Sequence, residues 1–203
     1  MATYKITCGN AIHRIERGDD GRMSLLNCNM GEEETLDAMG LPTSACYQTY
    51  HALIAEPEII LEQASHLGQV DMVKLALACG AYVGTRFCSP ITRAAEGGHA
   101  GTIDVLAQNG ADVNGCEGRP LRRAAKSGHL EAVKMLLNHG ADIHQLFEGA
   151  LYMAAKNNHL DVVKFLVEKG ANIDKMLSKG KRYLMAACDP QVVALLNECE
   201  RET

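Results

Sequence analysis

The residues best suited to metal chemistry are the histidines, of which the chain has eight. Three of them, His99, His129 and His159, recur at equal intervals along the chain. Imidazole is a common zinc ligand, so such a column suggests a metal site. If each histidine belongs to its own stacked unit, neighbouring rings lie about 10 Å apart, as packed helices do. Because zinc–nitrogen bonds are only about 2.0–2.1 Å long, two such rings cannot share one zinc ion, and we predict no metal or cofactor.

A cysteine nucleophile is the second kind of chemistry that the composition allows. Residues 1–56 include three cysteines and two histidines, namely Cys8, Cys28, Cys46, His13 and His51. Cysteine catalysis needs a thiol in contact with an imidazole, together with an oxyanion hole. The segment carries no local signature of such a site, and the chain has neither a GxxxxGK[ST] phosphate loop nor an HExxH motif. We therefore predict that the protein is not an enzyme, and keep a Cys/His site in residues 1–56 as the alternative.

The eight cysteines are scattered along the chain, and no two of them form a CxxC pair. Residues 1–20 contain no apolar core of a secretion signal. We therefore expect reduced thiols in an intracellular, cytoplasmic compartment. No stretch approaches the roughly 18 apolar residues that a membrane-spanning helix needs, so we expect no membrane partner.

The composition is that of a globular protein, with 203 residues of which 47% are hydrophobic and 22% charged. This length allows one large domain or two small ones. The net charge of −5 argues against a dedicated nucleic-acid binder, which usually carries a basic domain. Binding of nucleic acid through a local basic surface is kept as a further alternative.

Most of the chain consists of a repeated sequence unit. A Gly-Ala pair begins at positions 80, 110, 140 and 170, and a pair of small residues precedes each one at a constant distance, as at Ala124-Ala125. Each unit of this repeat is typical of two short helices. Gly68, Gly98 and Gly128, with Asn158 in the fourth unit, are expected at a left-handed turn between the helices. Since one unit cannot bury its own apolar face, we predict that the units stack into a solenoid.

The second helix of each unit is predicted to begin near an acidic residue and to end at the glycine of the Gly-Ala pair. Its apolar residues recur on one face of a helix. The predicted buried stripes are Val133, Leu136 and Leu137 in one unit and Val163, Leu166 and Val167 in the next.

The units resemble the ankyrin repeat. GHLEAVKMLLNHGADI and NHLDVVKFLVEKGANI are similar to the family's second helix and the turn that follows it. The resemblance covers residues 57–200 and implies an all-α repeat solenoid of about five helix-turn-helix repeats over residues 57–203, joined by short β-hairpin fingers. The family's TPLHxA opening survives only in part, as at Arg119-Pro120-Leu121, and its histidine is absent. Units with this short period resemble arrays of giant DNA viruses and host-associated microbes, which would place the protein in a host cytoplasm, acting on a host or competitor protein.

The N-terminal segment, residues 1–56, does not match the repeat. Three stretches there are predicted as strands, over Thr3–Cys8, Ala11–Arg17 and Arg22–Asn27, with a tight turn over residues 18–21. Helices are predicted over Glu32–Met39 and Thr43–Ala55. We interpret residues 1–56 as a small α+β extension that caps the open end of the solenoid.

Candidate binding residues follow from the resemblance, because ankyrin-like solenoids contact partners through the first helices and the finger tips. The first-helix positions are Arg93, Arg122, Arg123, Lys126, Tyr152, Met153 and Lys156. The finger tips contribute Arg86, Phe87 and Phe147, with Leu146, Met176 and Leu177. Arginine, tyrosine and methionine are enriched at interfaces. We therefore predict a protein partner with an acidic surface, for which this chain is an adaptor or an inhibitor.

Two alternative interpretations apply to these residues. The charges can form a solvated face while the apolar tips pack on neighbouring fingers. For nucleic acid, the arginines lack an accompanying row of stacking aromatic residues. Asn114 lies in a context that resembles substrates of asparagine hydroxylases, although an asparagine that stabilises a turn is the simpler interpretation.

Overall fold

The structure is a computed structural model, and it describes residues 3–8, 11–17, 23–28, 57–84, 90–177 and 189–202. The chain divides into two compact units. One consists of Met1–Leu61 with Asp71–Tyr82, and the other of Glu62–Val70 with Val83–Thr203. The boundary proposed at residue 56 stays a prediction.

The N-terminal strands form an antiparallel sheet in the order β1-β2-β3. They are β1 (Thr3–Cys8), β2 (Ala11–Arg17) and β3 (Met23–Cys28). The first two strands have the predicted bounds, and the third begins one residue later than predicted. The register is irregular between Arg14 and Ile15. The predicted turn over residues 18–21 and the two predicted helices lie outside the described residues.

Ten helices follow in the described part of the chain. They are α1 (Pro57–His66), α2 (Val70–Ala78), α3 (Pro90–Glu96), α4 (Ala100–Gln108), α5 (Gly115–Ser127), α6 (Leu130–Asn138), α7 (Gln145–Lys156), α8 (Leu160–Glu168), α9 (Ile173–Leu177) and α10 (Pro190–Glu202). The second helices of four successive units, α2, α4, α6 and α8, have the same length and begin at equal intervals, at positions 70, 100, 130 and 160. The period of the sequence repeat therefore equals the spacing between successive second helices.

Consecutive repeats pack side by side. The first helix α5 contacts both α3 and α7, and the second helix α6 contacts both α4 and α8. The alanine pairs of these first helices, such as Ala124 and Ala125, are fully buried. Because alanine is small, neighbouring helices approach closely at these positions. The all-α repeat solenoid is thus confirmed.

The buried stripe of the second helices differs from the predicted one by part of a turn. In α6, Ala132, Val133 and Leu136 are fully buried, whereas Leu137 is only half-buried. The same shift occurs in α8, where Val162 joins the core. Since successive residues turn by about 100° around a helix, position 137 lies at the edge of the stripe centred on the other three.

The turns between paired helices are built from glycine and histidine. Gly98 has φ 77° and Gly128 has φ 76°, in the left-handed region, as predicted. The His129 ring also lies against Gly98, so that a Cβ there would be 2.6 Å from its Nδ1. The ring Nε2–H of His159 donates a hydrogen bond to the Lys126 carbonyl oxygen at 2.9 Å. The glycine column therefore provides both a backbone conformation and room for the next repeat's histidine.

The fingers are short, as predicted, but over residues 113–118 and 143–148 they contain no β-hairpin. Residues at the start of α5 and α7 that belong to these fingers are not in a right-handed helical conformation. In each, three consecutive residues adopt left-handed backbone angles, and in the second these are Leu146, Phe147 and Glu148. Asn114 joins the two fingers. Its Nδ2 donates to the Gly140 carbonyl oxygen at 3.0 Å, and the Asp142 amide donates to its Oδ1 at 2.7 Å.

Candidate functional site

Two adjacent first helices, α5 and α7, carry most of the predicted binding residues. On α5, positions 119, 122, 123 and 126 follow helical spacing and share one face. Their counterparts one repeat later, on α7, are Gly149, Tyr152, Met153 and Lys156. Since α5 contacts α7, these two faces form one continuous surface, which we call the groove.

The first pocket of the groove is strongly positive. It has a volume of about 310 Å³ and seven lining residues. Five of them are cationic, namely Arg119, Arg122, Arg123, Lys126 and Lys156, and the other two are Met153 and Asn157. No acidic side chain of the described residues belongs to this lining. The structure thus brings together five of the predicted residues in what we call the cationic pocket.

A second pocket of about 270 Å³ lies beside the first and is mostly apolar. It is lined by Arg122, Leu146, Phe147, Gly149, Tyr152, Met153 and Met176. The two pockets share Arg122 and Met153. Phe147 is 49% exposed and Leu146 is 40% exposed, although both side chains are large and apolar. We call this the apolar pocket.

Arg122 lies between the pockets, and its guanidinium group is partly desolvated. Its Nη2 donates to the Cys116 carbonyl oxygen at 3.2 Å, while its buried Nε has no hydrogen-bond partner in the described part of the chain. Burial lowers the pKa of Arg122, Glu117 raises it, and the charges of Arg119 and Arg123 lower it further. An arginine nevertheless stays protonated, so a positive charge is held in a partly dry position.

The absence of a side chain at Gly149 makes this position of Arg122 possible. A Cβ at Gly149 would lie 2.7 Å from Cδ of Arg122. The arginine stem therefore crosses the next repeat at the place where that repeat has no side chain.

Two of the predicted arginines are paired with acids of the preceding repeat. Arg93 Nε lies 3.3 Å from Glu62 Oε1, and Arg123 Nη1 lies 3.0 Å from Glu96 Oε1. Arg93 lines neither pocket. The positive charge is therefore concentrated on α5 and α7 and does not continue as a stripe along α3.

The finger at the start of α7 holds Phe147 in a strained conformation. Phe147 has φ 55°, and a left-handed conformation costs about 1–2 kcal/mol per non-glycine residue. The next residue, Glu148, is fully buried and accepts a hydrogen bond from Nδ1 of His144 at 2.8 Å. Strain of this kind is characteristic of functional segments, because the surrounding structure must maintain it.

Some predicted residues fall elsewhere. Arg86 and Phe87 lie outside the described residues. Met176 and Leu177, predicted at a finger tip, are buried in α9, with exposures of 3% and 5%. Arg119 and Asn157 line the cationic pocket but were not predicted to bind. For Arg119 the signal was available, because it lies one helical turn before Arg122.

A comparison with family models identifies the matching family as ankyrin repeats (3 copies), over residues 61–147 and 146–202. These matches span more than half of the chain. The protein belongs to the ankyrin repeat family. Ankyrin repeats are generally protein–protein interaction modules and are typically non-catalytic. A comparison with curated proteins gave no match.

The histidine column lies in the turns between paired helices of the described repeats. Within the described ranges, no group of three or more histidine, cysteine or acidic residues is arranged to hold a metal ion. For the Cys/His alternative, the sheet register pairs His13 with Cys28, while Cys46 and His51 lie outside the described residues. None of the described helices has the length and apolar character needed to cross a membrane.

Proposed function

We propose that this ankyrin repeat protein is a non-catalytic module that binds one partner protein through the groove on α5 and α7. The observation that carries the proposal is the adjacency of the cationic and apolar pockets, which share Arg122 and Met153. Such a surface is complementary to a partner that presents an acidic group beside an apolar side chain. The protein would act by occupying that partner surface, as an inhibitor if the surface is functional and as an adaptor if a second partner is bound elsewhere.

The two pockets are expected to contribute differently to binding. Charges on the rim of an interface mainly accelerate association, and salt weakens their effect. An apolar side chain that is desolvated in the complex mainly slows dissociation. Lys126 and Lys156 are exposed and would act in the first way, whereas Phe147 and Tyr152 would act in the second.

The proposal is tested first by identifying the partner and then by measuring its affinity with purified proteins. Capture with the full chain, followed by mass spectrometry, supplies the candidate. The decisive variant is the pair Lys126→Glu and Lys156→Glu, with Lys164→Glu as control because Lys164 is exposed on α8 and lines neither pocket. We expect the pair to weaken binding at least tenfold, mainly through the association rate at low salt. Equal affinity of the wild type, the pair and the control would contradict the proposal.

We also propose that the protein works in a reducing, cytoplasmic compartment. Cys116 is a free cysteine and is exposed. Thiol counting under denaturing, non-reducing conditions is expected to find eight thiols. A count of four or fewer would contradict this proposal.

A further inference from the structure

We propose that the cationic pocket binds a doubly charged phosphoryl group, presented by a phosphorylated side chain of the partner protein. The apolar pocket then accepts an apolar residue next to the phosphorylated one. This inference rests on the proposed function and names the chemical group that the groove selects.

The first argument is the amount of charge. Five cations line a pocket of about 310 Å³. Glu96 forms an ion pair with Arg123 and neutralises its charge. Glu117, which does not line the pocket, attracts the charge of Arg122. The cationic pocket therefore keeps a net positive charge, and its concave shape strengthens the electrostatic potential inside it. One carboxylate would neutralise a single charge, whereas a phosphoryl group carries about −1.5 to −2 at neutral pH.

The second argument is the type of donor. Three of the five cations are arginines, whose planar guanidinium groups match phosphate oxygens in pairs. Among the described residues, the buried Nε of Arg122 has no hydrogen-bond partner. A buried donor without a partner is costly, so a shift of the Arg122 side chain that brings this donor to a ligand oxygen gains that interaction. Lys126 and Lys156 are exposed and can adjust around the remaining oxygens.

The third argument separates a phosphorylated protein from a nucleic acid. A nucleic-acid strand needs cations that continue along its backbone and aromatic platforms for successive bases. Towards α3 the cations do not continue, because Arg93 is paired with Glu62 and Glu96 takes the position that corresponds to Lys126. Tyr152 also has Lys156 Nζ over its ring, at 6.0 Å from the ring centroid. One phosphoryl group beside one apolar group therefore fits the surface best.

The test is a titration of the full chain with three forms of one short peptide, alanine–leucine–X, blocked at both ends. X is phosphoserine, glutamate or serine, and binding is followed by the NMR signals of the amides lining the cationic pocket. We expect the phosphoserine form to bind at least tenfold more tightly than the glutamate form. Similar binding of these two forms, or no binding of the phosphoserine form, would overturn the inference.

Variants locate the effect within the molecule. Lys126→Gln with Lys156→Gln should remove the preference for phosphoserine, while the control Lys164→Gln should retain it. Both test residues are exposed, so the variants should fold, and their amide spectra check this. A preference that survives the double variant would overturn the inference. So would an oligothymidylate that binds more tightly than the phosphopeptide and displaces it.

The outcomes distinguish this inference from the proposed function. If the charge-reversed groove loses the natural partner but the glutamate and phosphoserine peptides bind equally, the groove binds protein without selecting phosphate. If the phosphopeptide binds in the cationic pocket but the natural partner tolerates the reversed charges, the proposed function is wrong and the phosphate site stands.

Discussion

The turns between paired helices and the groove belong to the same repeats, yet they follow opposite rules. In the turns, residue types recur: glycine at 98 and 128 is followed by histidine at 99 and 129. In the groove, residue types change from one repeat to the next, so that Arg122 and Arg123 correspond to Tyr152 and Met153. Since the backbone repeats in both regions, the difference lies in what the side chains contact.

In the turns, a side chain contacts the neighbouring repeat. His159 donates to the carbonyl oxygen of Lys126, and the His129 ring lies against Gly98. Each repeat therefore needs the same residue for the next repeat to stack. Groove side chains also line open pockets, so contact with a neighbouring repeat, such as that of Arg123 with Glu96, does not alone determine their type. This contrast assigns stability to the turns and recognition to the groove, and it predicts that substitutions in the two regions have separable effects.

The largest effect is expected for Gly98→Ala. Alanine at a left-handed position costs about 1–2 kcal/mol. Its Cβ would also meet the His129 ring, and overpacking typically costs about 1–3 kcal/mol. We expect a total loss of about 3 kcal/mol in the free energy of unfolding, measured by urea denaturation. The matched control is Gly110→Ala, where φ is also positive but a Cβ would meet no described atom within 4 Å, so only the strain should remain. Equal losses for the two variants would show that the histidine does not constrain the turn.

Much of the repeat region was predictable because stacking imposes it. The period of the sequence equals the spacing between the starts of the four second helices. The left-handed turns were predicted from the glycine column at Gly68, Gly98 and Gly128. The backbone conformation of the fingers was not predictable. Leu146, Phe147 and Glu148 are not turn-forming residues, and their left-handed conformation is accompanied by a side-chain contact that turn propensities do not include, the hydrogen bond of the buried Glu148 with His144.

The groove was predictable as a face but not as a set of pockets. Column alignment placed Arg122, Lys126 and Tyr152 together because corresponding first-helix positions of stacked repeats adjoin. It did not reveal that Arg93 and Arg123 pair with acids of the preceding repeat. Those contacts depend on the stagger between helices and on side-chain reach, neither of which a sequence period contains.

The second largest effect is expected in binding. Phe147→Ala should weaken the partner complex by about 2 kcal/mol if Phe147 is a hot spot, mainly through faster dissociation. Folding stability should not fall, because Phe147 is 49% exposed and alanine has the same strain at this backbone conformation. The matched control is Leu67→Ala, since Leu67 is 62% exposed and lines neither pocket. Surface plasmon resonance with the purified partner measures both rates, and equal dissociation rates for the two variants would remove the apolar pocket from the interface.

A smaller effect is expected for His159→Ala in the turns. The substitution removes the hydrogen bond to the Lys126 carbonyl oxygen, and such a bond typically contributes about 1 kcal/mol. Urea denaturation should show a loss of that size, whereas the control His66→Ala, at an exposed side chain, should change stability by less than about 0.5 kcal/mol. If His159→Ala matches the control, the histidine column does not hold the repeats together.

The smallest effect is expected for Arg93→Gln. Its ion pair with Glu62 is formed between side chains that are 39% and 43% exposed, and exposed pairs contribute about 0–1 kcal/mol. We expect a stability change of about 0.5 kcal/mol or less. Because Arg93 lines neither pocket, partner affinity should stay the same. A loss of affinity would extend the groove to α3.

The division between structural turns and a recognising groove is tested most directly by hydrogen–deuterium exchange of the full chain, with and without its purified partner. We predict that the partner slows exchange in peptides covering residues 119–127 and 146–157, and leaves the turn at 97–100 unchanged. Protection of the N-terminal sheet or of the second helices α4, α6 and α8, with no change in the groove peptides, would contradict the account.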